Sequence, residues 1–558
     1  MKEIDDFLRN WTTKKKWRGK KIDEILQIDG IPLWSFYHRS FTSHVMPKHL
    51  NTFPLLEKKK SLTKTTEIFL AAKAAMLRKY LLWNEQKKIH SIVKKEKNGE
   101  NQPAASADKE NDDKEKILFL SYTDHLTSQG TVFRIQPLID KIKKDGICQP
   151  FLLLANPLSS AKHKKLQRQG AKQNTIYQYY SPEIEIFAKE KSATLSQAWK
   201  DIPEAVKNEF FTLEEQNIWP YLKPAFSFFF SPEMIYVTAL YYEIAKKILR
   251  QEKIRTVVLT SQSGFFEKCF LAAAAVQNTT QNKSKAKIPV FQIQHGIGSG
   301  ALDTSYATKR LIFSDFHKKE LLTVGVDEEN IFITGPIIFD EMHHYKKTIS
   351  PLNQATLEKQ RLLIITSAFI EDNLTTKEQY FRRIERLLAE SKNIPNLEII
   401  FKLHPREKHL REYQKTLQRQ GMQAKILQHI SREEFYRVLQ NSTAVINFGS
   451  TAGFEAILFD KPLLTIDIAD LRLNPKRDTY CLLILENDAG INIPYREDLA
   501  HHLCSLLEDA GWKPQRQDFI SKYCYKNDGK ASERSAEIIY SSLGYKYPAA
   551  LQRLARND

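Results

Sequence analysis

Cysteine is scarce in this 558-residue chain, and its five residues, Cys148, Cys269, Cys481, Cys504 and Cys524, lie far apart with no C-x-x-C pair. An odd, scattered set builds neither a disulfide framework nor a zinc ribbon, and a reducing cytosol suits it. Long apolar runs are missing too. No stretch reaches the roughly 18 uncharged apolar residues of a spanning helix, and the opening MKEIDDFLRNWTTKKKW has no apolar signal core. The expected location is cytoplasmic, free or peripheral on the inner face of the cytoplasmic membrane. Acidic charge is also thin. The net charge is +18, and residues 1–100 carry 22 Lys and Arg against 11 Asp and Glu, more than half of that excess. Basic composition alone fixes no partner. Stacking aromatics interleaved with lysine are sparse in that region and no nucleic-acid motif is visible, so no nucleic-acid partner is expected. An anionic membrane surface and a plain solvated face both stay open.

The length suggests two or three domains at roughly 150 residues each. Residues 1–95 read as a basic helical module. Within it, SLTKTTEIFLAAKAAMLRKYLLWNEQKKIHSIVKK, residues 61–95, has apolar positions at helical spacing and neither Gly nor Pro. The module either packs on the body of the protein or lays its basic face and Trp83 on anionic lipid. Residues 96–115 are polar, charged and almost free of large apolar side chains, the composition of a disordered linker. Short apolar runs then alternate with helical stretches: KILFLSY (116–122), QPFLLLA (149–155), TVVLTS (256–261), PVFQIQ (289–294), RLIFSD (310–315) and IFITG (331–335). A second series follows: RLLIITSA (361–368), LEIIFKL (397–403), AKILQ (424–428), AVINF (444–448) and PLLTIDI (462–468). Ser431 and Glu434 form a capping-box pair at the start of one intervening helix. Strands apolar on both faces and separated by helices predict parallel sheets wound on both sides. The expected fold is α/β, with two Rossmann-like domains facing across a cleft, 116–340 and 341–558, the latter ending in C-terminal helices.

In such sheets ligands bind beyond the carboxyl ends of the strands, and three ends carry chemistry. His295 follows a strand in QIQHGIGSG and is trailed by glycines that let backbone amides approach a ligand. The plainer reading is a turn histidine beside a loop. His404 closes a strand in FKLHPREK, where Pro405 disfavours helical geometry at the imidazole and Lys402 and Arg406 raise the local positive potential. The third end is NFGSTAGFEAILFDKP, residues 447–462. Gly449, Ser450 and Thr451 form a small, hydroxyl-rich turn into a helix, the arrangement that binds phosphate, and Glu455 is placed to accept from ribose hydroxyls. An ordinary strand-to-helix turn with a Ser cap is its plainer reading. No Asp-x-Asp pair stands at a strand end, so no essential divalent metal is expected, nor any cofactor beyond a nucleotide-activated substrate.

Taken in order, QHG, ITGPIIFD (333–340), KLHP (402–405), GSTAGFEAILFDKPLLTID (449–467) and NDGKASER (527–534) resemble the bacterial GT-B transferases of surface polysaccharide. These include the CDP-glycerol glycerophosphotransferases and the capsule Kdo and sialic acid transferases. The resemblance covers roughly residues 116–540. It implies that His295 serves as general base or touches the reacting phosphate, that His404, Ser450 and Thr451 hold the donor phosphates, and that Glu455 binds ribose. Glycerophosphotransferases usually have Trp before His-Gly, where this chain has Gln294.

The function expected on this basis is metal-independent transfer of a sugar or polyol phosphate from a nucleotide-activated donor to a surface-polysaccharide or lipid-linked acceptor. A histidine base suits the attack because its pKa lies near 7 without burial. His125, in SYTDHLTSQG after the first strand, is the rival base. The Ser450-Thr451 turn beginning at Gly449, its helix N-terminus and His404 would neutralise the departing phosphate, assisted by Lys402 and Arg406. The alternatives are a sugar-nucleotide epimerase of the non-hydrolysing type and a non-catalytic envelope scaffold. Those epimerases share the fold and the His-Pro, but usually carry Gly-Gly-x-x-Glu-Glu where this chain has GSTAGFEA.

Overall fold

A computed structural model describes residues 2–40, 114–121, 131–155 without 133, 174–260 without 214, 265–280, 287–294, 308–348, 360–450 without 372–374 and 393, 452–466, 491–493, 499–508 and 513–545. The expected helix at 61–95 and most of the expected linker lie outside these residues.

The first sheet has seven strands: β1 (Lys116–Ser121), β2 (Gln149–Leu154), β3 (Asn174–Thr175), β4 (Ile254–Leu259), β5 (Val290–Ile293), β6 (Lys309–Ile312) and β7 (Ile331–Ile333). Its order is β7-β6-β5-β4-β1-β2-β3, and the pairs from β5 to β3 run parallel. The second sheet has six: β8 (Gln360–Ile365), β9 (Leu397–Lys402), β10 (Ala424–Leu427), β11 (Ala444–Asn447), β12 (Leu463–Ile466) and β13 (Ile491–Ile493). Its order is β10-β9-β8-β11-β12-β13, parallel throughout. Each sheet starts at an inner strand, winds outward one way, then reverses to the other side. The α/β, twice Rossmann-like expectation therefore holds.

The second sheet shows why its strands read as unbroken apolar runs. Successive side chains point to opposite faces, and both faces are covered. Leu362, Ile364, Ile399, Phe401, Ala444 and Ile446 pack on one side with the helices Lys377–Ser391, Leu410–Arg419 and Leu499–Glu508. Leu363, Ile365, Ile400 and Val445 pack on the other with Arg432–Gln440, Ala452–Leu458 and Lys513–Cys524. Helix starts are fixed locally. Thr376 and Gln379 form a reciprocal capping box, and Ser431 Oγ accepts from Glu434 N at 3.1 Å, at the position the sequence marks as a cap.

Two compact units result. One comprises Met1–Ile293, Leu302–Arg310 and Glu537–Asp558; the other comprises Gln294–Ala301 and Leu311–Ala536. In the first unit, residues 2–40 share the core rather than standing apart. Trp11, Trp34 and Tyr37 are buried in one cluster with Leu118, Leu120, Trp199 and Phe226. Trp34 stacks on Phe226 at 5.0 Å between ring centres and donates its indole N–H to Leu8 O at 2.7 Å.

Candidate functional site

In the second sheet the chain reverses direction between β8 and β11, the crevice where doubly wound sheets take ligands. Ile365 at the end of β8 is in register with Lys402 on β9 and with Asn447 on β11. The segments leaving these three residues therefore emerge side by side.

After β11 the backbone turns through Gly449, whose φ of +64° favours a residue without Cβ. Asn447 builds the turn from beneath: its Oδ1 accepts Ser450 N at 2.9 Å. Ser450 Oγ accepts Ala452 N at 3.3 Å, and Ser450 O accepts Gly453 N at 3.0 Å. Gly449 and Ser450 are half-buried. Gly453 is small because Asn447 lies against it; a Cβ there would stand 2.4 Å from Asn447 Nδ2.

After β9, His404 is half-buried and Arg406 exposed. Arg406 N donates to His404 Nδ1 at 3.1 Å, so a neutral imidazole keeps its proton on Nε2. Glu407 N donates to His404 O at 3.0 Å, closing a tight turn over Pro405 and Arg406. Lys402, half-buried, lies with Nζ 5.4 Å from the centre of the Phe435 ring. Burial holds its pKa below the usual lysine range, and the nearby carboxylates of Glu455 and Glu407 act against that shift. Glu455 Oε1 accepts from Tyr436 OH at 3.2 Å and pairs with Arg432 Nη2 at 3.3 Å. Arg432 also donates to Ile338 O at 2.8 Å, which fixes it as Glu455's anchor. Phe454 turns into the core against Phe519.

His404, Lys402, Arg406, Gly449, Ser450 and Glu455 are thus gathered at one end of one sheet: two basic side chains, an imidazole, a hydroxyl and an anchored carboxylate. His295, His125 and Thr451 lie outside the described residues. Among the described residues no three His, Cys, Asp or Glu side chains gather as a metal-binding group, and no helix is long and apolar enough to cross a membrane.

Two further motifs, far apart in sequence, meet in the second unit. Asp340, ending ITGPIIFD, accepts Ala531 N at 3.1 Å and Ser532 N at 2.7 Å, capping the helix Ala531–Ser542 that NDGKASER opens. Arg534 pairs with Asp528 at 2.7 Å and donates to Thr334 O at 2.8 Å. Gly335 and Gly529, both at positive φ, sit against Arg534 and His343, which a Cβ would approach to 3.1 and 2.9 Å. Asp340's partnership is not announced by spacing, because it joins segments far apart in the chain. Gln294 also has a structural role, since its Oε1 accepts Phe313 N at 2.9 Å.

Fold and strand-end site together define a GT-B-like α/β protein. A family model described as UDP-N-acetylglucosamine 2-epimerase matches residues 304–539. Among solved structures, a Listeria monocytogenes protein provisionally named a UDP-N-acetylglucosamine 2-epimerase is similar with a TM-score of 0.50 and 14% identity, covering 78% of this chain and 98% of that one. The Neisseria meningitidis UDP-GlcNAc 2-epimerase bound to UDP-GlcNAc aligns at a TM-score of 0.47 and 12% identity, over 77% and 99% of the two chains. A Rickettsia africae glycosyltransferase aligns at a TM-score of 0.42 and 12% identity, over 78% and 100%. Comparison with curated protein sequences gives no match. The family match corrects the expected function: the chain's second half fits an epimerase model, so the reading as a glycosyltransferase or CDP-glycerol glycerophosphotransferase, with its capsule setting and glycan or lipid-linked acceptor, is overturned. The GT-B-like fold stands.

Proposed function

We propose that the protein is a sugar-nucleotide epimerase of the non-hydrolysing type, with a UDP-sugar such as UDP-GlcNAc as substrate. The observation that carries this reading is the epimerase family match over residues 304–539, a span that contains the whole strand-end cluster of the second sheet. In this reading the nucleoside diphosphate lies over the ends of β8, β9 and β11. Ser450 and His404 donate to phosphate oxygens, Lys402 and Arg406 supply positive potential, and Glu455, steadied by Arg432, accepts from the ribose.

Epimerisation at a carbon beside the anomeric centre requires removal of that carbon's proton and its return from the opposite face. Elimination couples proton removal to breaking of the sugar–phosphate bond: the C–H electron pair becomes a carbon–carbon double bond as the C–O pair leaves with the diphosphate, and the diphosphate adds back to the anomeric carbon when the proton returns to the opposite face. Preoriented donors that neutralise this charge favour the step because they need no reorganisation as it develops. His404 and Ser450 fit that role. His295 and His125 are the candidate proton-transfer groups, since an imidazole titrates near neutrality. Against the usual Gly-Gly-x-x-Glu-Glu, residues 450–455 read Ser-Thr-Ala-Gly-Phe-Glu: Ser450 and Thr451 replace the two glycines, Phe454 is buried core, and only Glu455 matches. The reading invokes neither a metal nor a second cofactor.

Incubation with UDP-GlcNAc alone, followed by proton NMR, tests it. A new UDP-sugar isomer approaching a fixed equilibrium ratio is expected. Retained UDP binding with no isomer formed would refute epimerisation.

A further inference from the structure

Glu407 is 7% exposed, and no cation forms a salt bridge with it among the described residues. A buried carboxylate without such a partner is costly, and an apolar side chain would fill the volume without that cost. What the carboxylate adds is acceptors. Oε1 takes His404 N at 2.8 Å and the Thr366 hydroxyl; Oε2 takes Tyr413 OH at 2.7 Å. Thr366 follows β8, His404 follows β9 and Tyr413 lies on the helix Leu410–Arg419, so one side chain joins two strand ends and a helix. Gln428, just past β10, completes the frame by donating to Glu407 O at 2.8 Å and His404 O at 3.3 Å. The His404 turn is thereby held from its N–H, from its carbonyl and from the residue that closes it.

We propose that Glu407 is a positioning residue: it fixes the His404 turn so that Nδ1 stays bonded to Arg406 N and Nε2 remains the ring's donor to a bound nucleotide diphosphate. This rests on the proposed nucleotide site at the second sheet's strand ends. Glu407 acts through His404 and touches no ligand itself. Glutamine preserves the acceptor for His404 N, and its amide can donate to the Tyr413 oxygen.

The test measures UDP affinity by calorimetry, thermal unfolding, and imidazole nitrogen shifts in histidine-labelled full-length protein. His404→Ala and Glu407→Ala are each expected to weaken UDP binding roughly 10- to 100-fold, the scale of a small misplacement of a binding group. Glu407→Gln should stay within about threefold of wild type. The double variant should bind no more weakly than His404→Ala, since the two residues act as one unit. The His404 nitrogen pattern should lose its single tautomer in Glu407→Ala and keep it in Glu407→Gln. A weakened His404→Ala beside a Glu407→Ala variant that is merely less heat-stable, with wild-type UDP affinity and nitrogen shifts, overturns the positioning role alone. Unchanged affinity in His404→Ala overturns the nucleotide site and this role with it. If Glu407→Ala does not fold, Tyr413→Phe and Thr366→Val each strip one anchor from the carboxylate, and wild-type UDP affinity in both would overturn the proposal.

Discussion

Hydrogen is the largest substituent that position 453 tolerates. A methyl group there would meet Asn447 Nδ2 at 2.4 Å, and the Asn447 side chain is what holds Ser450 N. Gly453→Ala is therefore expected to cost about 1–3 kcal/mol, the usual range for overpacking, read as a lower unfolding temperature, and to weaken UDP binding as the turn loses its support. Asn447→Ala should reproduce the binding loss without the clash. Asp340 gives a second residue-scale expectation. Burial pushes its carboxyl up to about 6, against the opposing pull of the Ser532 and Ala531 N–H groups. Because the folded value lies above the unfolded one, its contribution to stability is complete below about pH 4 and is lost as pH rises through 6. The loss amounts to about 3 kcal/mol. Asp340→Asn removes that titration, so the gap in unfolding temperature between it and wild type should change between pH 4.5 and 7.5. A constant gap would contradict the assignment. The sequence exposes the glycines, serine and histidine of the site because their types and positions after apolar runs are local facts. It hides Glu407 and Arg432, which reach segments distant in sequence at Thr366 and Ile338; Asn447 acts only three residues away, on Ser450, and its side chain carries no pattern that marks the role.

At the scale of elements, apolar runs located the strands of both sheets except the short β3 and β13. RLLIITSA, LEIIFKL and AVINF each appear within three residues of their expected bounds, because strands buried on both faces must be apolar throughout. Lateral order was not legible. Nothing local in β8 says that β9 and β11 flank it, yet that arrangement makes neighbours of His404 and Ser450. Helix starts are partly local: Thr376 caps its helix through Gln379 N at 3.2 Å, and Thr376→Ala should cost roughly 1 kcal/mol in chemical denaturation. That helix covers one face of the second sheet, and its Tyr380 hydroxyl lies 3.1 Å from that of Tyr413, the Glu407 partner. A change in UDP affinity would mean that the cap also shapes the site.

At the scale of the molecule, residues 2–40 belong to the first unit's core. Trp11 is fully buried, with ring centres 4.9 Å from Phe211 and 5.6 Å from Phe226. Trp11→Ala should cost about 3–5 kcal/mol by leaving a large cavity, and removal of residues 2–40 should yield insoluble protein; a truncated form that unfolds cooperatively at the wild-type temperature would contradict this. The remainder of that unit comes from much later in the chain. Tyr540 donates to Asp145 at 3.3 Å, and Tyr545 donates to Glu115. Domains generally fold as units in the order of their synthesis, but here a ribosome must translate past residue 540 before the earliest-made unit has all its parts. The nascent first unit therefore waits, unfinished, while the whole of the second sheet is made, and ribosome-arrested chains ending at residue 530 should yield a more protease-sensitive first unit than chains arrested after release of residue 545.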